Sequence, residues 1–348
     1  MKKELLIASA LVSTLGAASV ANAVTATMSG AHMTGLQGND TDAAADGTVS
    51  HLVESGFTVS LSETTDGGIG IASSFMLANE GTGGTQSAGL TLTFTDGSKL
   101  DVMSAGNAAA SHDISVPGGA GDAGVTITST NNAQTGLDFF AEATGLGVEW
   151  HSAADFMADG LKVGASISVD NNAAAGSTVH LESGWGVGAT YVTSAGDTAV
   201  TIGAGYANSE NKVTGTDPSS DANGFHVGFS AVTGNLTVAA GYASGDDVKN
   251  TPNTEIANAT VTKIGVKYVA GDITLSVGHT AGEAQDNTTM GTSGTTDDSK
   301  DVTDAGISYA VASGVTANLG WKNVDSQQGG VSETSGGTSW YIGANMSF

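Results

Sequence analysis

From about residue 24 to the end of the chain, apolar and polar side chains trade places at almost every step. Leu236, Val238, Ala240 and Tyr242 alternate with Thr237, Ala239 and Gly241, and Ile273, Leu275, Val277 and His279 alternate with Thr274, Ser276 and Gly278. Val315, Ala317, Leu319 and Trp321 alternate in the same way with Thr316, Asn318, Gly320 and Lys322. A period of two marks strands with one face in an apolar medium and the other in water. No segment of similar length has helical spacing. Strands are expected at about 24–32, 51–62, 69–79, 88–95, 98–104, 144–152, 159–170, 179–192, 198–208, 223–232, 236–244, 259–269, 273–281, 303–311, 315–323 and 337–348, sixteen in all. Trp340, Ile342, Ala344, Met346 and the terminal Phe348 share one phase of the last strand, an apolar row that suits lipid better than a soluble core.

The connections alternate in length. Tight turns recur at Asp96-Gly97, 194–197, 233–235, 270–272 and 312–314, where Gly, Asn or Asp supplies the dihedrals a hairpin needs. Long polar stretches lie between them at 209–222, 245–258, 282–301 and 324–336. This rhythm predicts an all-β fold, a transmembrane antiparallel up-and-down barrel with one tight rim and one elaborated rim. Closure follows from lipid itself, because an open sheet edge in hydrocarbon leaves backbone groups unpaired at several kcal/mol each. About sixteen tilted strands enclose a water-filled channel. The inward phase holds Gly, Ser, Thr, Asn, Lys and Glu. Trp150, Trp185, Tyr191, Tyr206, Tyr242, Tyr268, Trp321 and Trp340 sit toward strand ends in the outward phase, as interfacial girdles do.

The first 23 residues read as an export signal: Lys2 and Lys3, an apolar run from Leu5 to Val20, then Ala21-Asn22-Ala23 as a cleavage site. The barrel is expected to occupy 24–348. With the signal go two lysines and one glutamate, which takes the formal charge from −25 to −26. All ten basic residues are lysines, and so acidic a chain is no nucleic-acid partner. It attracts cations instead. There is no cysteine, hence no disulfide scaffold.

Two other classes of protein compete with this reading. A soluble, calcium-binding exported adhesin or surface-layer protein is the alternative. Asp42, Asp46 and Gly47 match part of a calcium loop, though Ala44 and Val53 stand at two of its ligand positions; the candidate calcium site lies near Asp40, Asp42 and Asp46. No other cofactor is expected. A barrel enzyme is disfavoured, because neither a G-x-S-x-G elbow nor H-E-x-x-H occurs and the seven histidines lack ligand spacing. His151, His180 and His226 share the inward phase and read as hydrated wall residues.

The longest stretch without alternation is 105–143, which by strand parity is the third connection on the elaborated rim. By this segment, the signal, the strand rhythm and the terminal aromatic, the chain resembles the general bacterial porins of alphaproteobacterial type, over essentially all of 24–348. Pro117-Gly118-Gly119 and Asp122 echo the Pro-Glu-Phe-Gly-Gly-Asp run at the third-loop tip of many members; the Glu-Phe pair is missing. The resemblance implies a third loop folded into the lumen, a homotrimer, the Gram-negative outer membrane, and passive diffusion of small hydrophilic solutes and ions. It also implies a charged constriction, built here without the family's arginines. Lys99, Lys162, Lys263, Lys267 and Lys322 are the basic wall candidates. Asp113, Asp122, Asp138 and Glu142 of the loop are expected to face them, with Asp101, Glu149 and Glu182 on strands. Because acid exceeds base in this set, cation preference is expected.

Overall fold

The computed structural model describes residues 24–41, 48–79, 82–83, 89–103, 107–119, 133, 135–137, 146–169, 179–213, 220–248, 255–287, 296–328, 331–332 and 336–348. Nearly all of these are strand. Sixteen strands form the wall: β1 (Thr25–Thr41), β2 (Thr48–Thr64), β3 (Gly70–Asn79), β4 (Leu90–Thr93), β5 (Lys99–Val102), β6 (Gly147–His151), β7 (Leu161–Val169), β8 (Val179–Ala195), β9 (Thr198–Val213), β10 (Ser220–Thr233), β11 (Leu236–Val248), β12 (Glu255–Ala270), β13 (Ile273–Asn287), β14 (Thr296–Ala312), β15 (Val315–Gln328) and β16 (Gly337–Ser347). Short pieces at Thr82–Gly83 and Val331–Ser332 pair with the arms of β3 and β15. Each wall strand pairs antiparallel with its neighbours in sequence, and β16 pairs back onto β1 from Ala31↔Ser347 to Thr41↔Gly337. The sheet is therefore a closed barrel. The seam runs to the last residue: Phe348 N–H donates to Gly30 O at 3.0 Å, and Gly30 N–H donates to Phe348 O at 3.2 Å. The Phe348 ring lies over Gly30 and beside Phe57, with centroids 6.2 Å apart.

The alternation has the expected sense. Ile273, Leu275 and Val277 on β13 and Ile342, Met346 and Phe348 at the seam are exposed on the outside, and the girdle aromatics Trp185, Tyr191, Tyr206, Tyr242, Tyr268, Trp321 and Trp340 are exposed beside them. Inward positions are polar or small, such as Ser166, Ser168, Ser276 and Asn318. This is a soluble protein's pattern turned inside out. The tight rim uses two-residue turns whose glycines Gly196, Gly234, Gly271 and Gly314 take φ of 63°, 55°, 60° and 74°. Only glycine adopts that backbone without strain.

Two expectations about length need correcting. The polar stretches 209–222, 245–258, 282–301 and 324–336 are mostly strand: β9 runs to Val213 and β10 starts at Ser220, and the other three hairpins extend alike. β1 has 17 residues, or about 58 Å at about 3.4 Å each, far more than an apolar band of about 25 Å requires even when tilted. Beyond the band both faces meet water, so the apolar alternation stops while the hydrogen-bond ladder continues. Register shifts at 210/211, 245/247 and 257/260 fall in these arms. Conversely, β4, β5 and β6 are shorter than expected, at four, four and five residues. There the chain leaves the wall. Met103 has φ of 66°, a left-handed conformation rare for a bulky side chain, and turns the backbone off β5.

Candidate functional site

When the chain is next described, at Asn107, it is inside the barrel. A single 3-10 turn at Ala110–His112 is followed by extended chain to Gly119, and the whole run lies against the inner wall from β6 to β14. Hydrogen bonds pin it along this path. Ser166 Oγ accepts Ala108 N–H at 2.9 Å, and Ser111 Oγ donates to Glu149 Oε1 at 2.6 Å. His226 Nε2 bonds Ala109 O at 2.7 Å, and His112 Nδ1 shares a 2.8 Å bond with Thr190 Oγ1. Further on, Ser276 Oγ donates to Gly118 O, and Asp304 Oδ1 accepts Gly119 N–H at 2.8 Å. Most of these bonds take the loop by its main chain.

The wall makes room for the loop by omitting side chains. Register aligns Gly164, Gly188 and Gly205 across β7, β8 and β9, then Gly203, Gly228 and Gly241 across β9, β10 and β11, then Gly265 and Gly278 across β12 and β13. These glycines form a trough. A methyl group on Gly188 would sit 2.6 Å from Ala108 O, one on Gly205 2.7 Å from Ala109 Cα, and one on Gly278 2.7 Å from Pro117 O. A small dry cluster seals the middle of it, where Ala109 and Leu137 meet Ala207, Ala243 and Val261. The inward phase is thus not polar throughout, as the composition suggested. It turns apolar where the loop covers it.

Two charged groups stand on the wall. On β5 and β6, His151 Nε2 lies 2.9 Å from Asp101 Oδ2 and 3.7 Å from Glu149 Oε1; Thr91 Oγ1 also donates to Asp101. On β12, β14 and β15, Lys263, Lys300 and Lys322 line a cavity of about 290 Å³ with Asp304, to which Pro117 and Gly118 of the loop also contribute. In a ring of sixteen, β5 and β6 face β13 and β14, so the acidic group stands across the lumen from the lysine-lined cavity, with Lys99 and Lys162 on the acidic side.

Lys99, Lys162, Lys263, Lys267 and Lys322 all occupy inward positions, as do Asp101 and Glu149. Asp113 is on the docked loop. Its Oδ1 lies 3.9 Å from His226 Nδ1. Among the described residues lining that cavity, the carboxylate is Asp304, the direct cross-strand partner of Lys322. Asp304 and Lys300 were missed, Lys300 because its stretch had been read as loop. Inward alternation carried through 303–311 would have found Asp304. His226 is 1 % exposed beneath the loop and is not a hydrated wall residue. The loop's Asp122, Asp138 and Glu142 lie outside the described residues, as do the side chains of Glu182 and His180. Asp40 is exposed at the outer end of β1, while Asp42 and Asp46 lie outside the described residues.

A docked loop narrowing a wet sixteen-stranded barrel agrees with what the sequence matches. The Gram-negative porin family matches residues 8–326, and the chain belongs to that family. Comparison with curated proteins finds no match. Among solved structures, the anion-selective porin from Comamonas acidovorans is similar with a TM-score of 0.65 and 13% identity, over 93% of this chain and 100% of that one. OmpF of Salmonella typhi, solved with daunomycin, gives 0.63 and 13% over 93% and 98%. The outer membrane protein OmpT of Vibrio cholerae, in a trimer form, gives 0.59 and 18% over 93% and 99%. Likeness at these identities is likeness of fold.

Two outcomes test the docking. Gly188→Val overfills the trough, at a cost of about 1–3 kcal/mol or roughly 5- to 150-fold in undocked population. Thermolysin, which cuts before Ile114 and Val116, then cleaves the loop faster by a factor in that range. His112 supplies the second. Burial of its ring, with His151, His226 and Lys162 nearby, holds its pKa below the usual 6.5. The carboxylates of Asp113 and Glu149 act in the opposite sense. Because the docked form resists the proton, docking is fully stable above that ordinary value and weakens as pH falls below it. Brief closures of single channels become more frequent between pH 7.5 and 5, and His112→Asn flattens the dependence.

Proposed function

We propose that the chain, once residues 1–23 are removed, serves in the Gram-negative outer membrane as a passive diffusion channel for small hydrophilic solutes and ions, with a preference for cations. The observation that carries this reading is the closed barrel, apolar outside and polar inside, with a segment of its own chain docked across the inner wall. Solutes cross by exchanging bulk water for a hydrated, charged passage, and no catalytic step is required. Lys99, Asp101, Asp113, Glu149, Lys162, Lys263, Lys267 and Lys322 act as the lining charges, joined by Lys300 and Asp304. The acid excess of the whole chain sets the sign of the preference. The lysines by the loop tip oppose it locally, so the preference is moderate. The soluble calcium-binding alternative fits poorly with an outer face of exposed Ile, Leu, Val and aromatics. Of its acidic loop, only Asp40 is among the described residues.

The outer wall also supports a homotrimer. At the seam His32 pairs with Met346 and Thr34 with Ala344, within the apolar band. There His32 Nδ1 bonds Ser55 Oγ at 2.8 Å, and Thr34 Oγ1 bonds His51 Nε2 at 3.1 Å, all facing outward. Such groups are costly against lipid tails and far less so against another protein. We assign this face of β1 and β2 to contact between copies.

Zero-current potentials across a potassium chloride gradient test the preference. A potassium-over-chloride ratio above one is expected at about 0.1 M salt, shrinking at about 1 M as the screening length falls from about 10 Å to about 3 Å. The pair Lys263→Ala and Lys322→Ala raises the ratio, and chloride preference in the wild type would refute the reading. For assembly, native mass spectrometry in detergent is expected to give three copies, and His32→Leu with His51→Leu shifts the balance toward monomer. A monomeric wild type would remove the assignment.

A further inference from the structure

The acidic wall group is more than a source of field. Asp101, Glu149 and His151 each offer a ligand atom within 4.8 Å of the other two, from inward positions of two adjacent strands. Separations of 2.9 and 3.7 Å from the imidazole nitrogen to the two oxygens bracket the spacing between ligands of one first-row divalent ion, each about 2.0–2.2 Å from it. The strands impose this convergence. Asp101 and Glu149 are direct cross-strand partners, and His151 follows Glu149 by two, so all three side chains leave the same face. Glu149 is only 3 % exposed, a rare state for a carboxylate so close to a second one.

A second observation points to the same place. His112 is 7 % exposed, and its Nε2 is buried without a hydrogen-bond partner. The ring lies across the trough: Cδ2 is 2.6 Å from the Cβ position of Gly188 on β8, and Nε2 is 2.8 Å from that of Gly164 on β7. The next strand in that direction is β6, where the partner of Gly164 is His151. The orphan nitrogen is therefore directed toward the triad from the loop side.

We propose that Asp101, Glu149 and His151 form a binding site for a divalent transition cation of zinc's class, with His112 flanking it. One imidazole and two carboxylates suit zinc, nickel or cobalt better than calcium or magnesium, which prefer all-oxygen shells. The cation would neutralise the crowded carboxylates. Because Glu149 Oε1 also takes the Ser111 hydroxyl, it would brace the root of the docked loop as well. The site stands apart from the lysine-lined cavity and does not depend on the sign of ion selectivity.

The test is isothermal titration of zinc chloride into refolded barrels stripped with EDTA, run beside calcium chloride. One zinc per barrel at micromolar affinity is expected, with calcium at least tenfold weaker. His151→Ala and, separately, Asp101→Asn weaken zinc at least tenfold, and His112→Asn weakens it less than either. Retained heat-modifiable migration in gels shows that each variant still forms the barrel. Cobalt provides an independent readout, because its visible absorption bands change on binding the wild type and not His151→Ala. Absence of saturable zinc binding below about 1 mM would overturn the proposal. So would equal affinity in His151→Ala, or a greater loss in His112→Asn than in the triad variants.

Discussion

Backbone hydrogen bonding in a medium without water governs this molecule. Each peptide group at membrane depth must find a partner within the protein, and a sheet satisfies that demand only by closing. The seam between β1 and β16 is where the demand is hardest to meet, since it joins the two ends of the chain. The register is unbroken from Thr41↔Gly337 to Ala31↔Ser347, and the terminal Phe348 adds two main-chain bonds of its own. Alternation, girdles and polar lining follow from closure, because a closed sheet has one face for lipid and one for water.

Closure also creates a difficulty inside. A barrel of sixteen strands is too wide for side chains to fill. The chain narrows it with a segment diverted from between β5 and β6, where the wall strands shrink to four and five residues. Docking that segment needs a surface that accepts a backbone at close range. The glycines aligned across β7 to β13 provide it, with polar anchors at Ser166, Thr190, His226 and Asp304. Wall and loop thus share a construction in which missing side chains matter as much as those present.

Much of this was legible in the sequence, and the reasons are physical. A period of two survives wherever one face meets hydrocarbon, so all sixteen strands were visible, including the short β4, β5 and β6. Their outer ends were not, because the arms above the band are wet on both sides and lose the pattern while keeping the ladder. Lys263, Lys267 and Lys322 could be assigned inward by parity alone. Lys300 could not, because parity had been abandoned at the supposed loop. The docking of 107–119 was implied by family resemblance and was not readable from the segment itself, since the glycines that receive it lie on seven other strands. Nor could the sequence tell that Asp113 faces His226 and that Asp304 sits with the lysines, because those neighbours are set by the loop's path through the lumen.

The way the loop is held has an evolutionary corollary. Apart from the side-chain bonds of Ser111 and His112, its fastenings grip carbonyls and amides at Ala108, Ala109, Gly118 and Gly119, features almost every residue type shares. Such a clasp is indifferent to what the passing segment displays toward the axis. Substitutions there can rewrite permeability without loosening the mount, so descendants of this scaffold are free to diversify their filters while the frame stays constant.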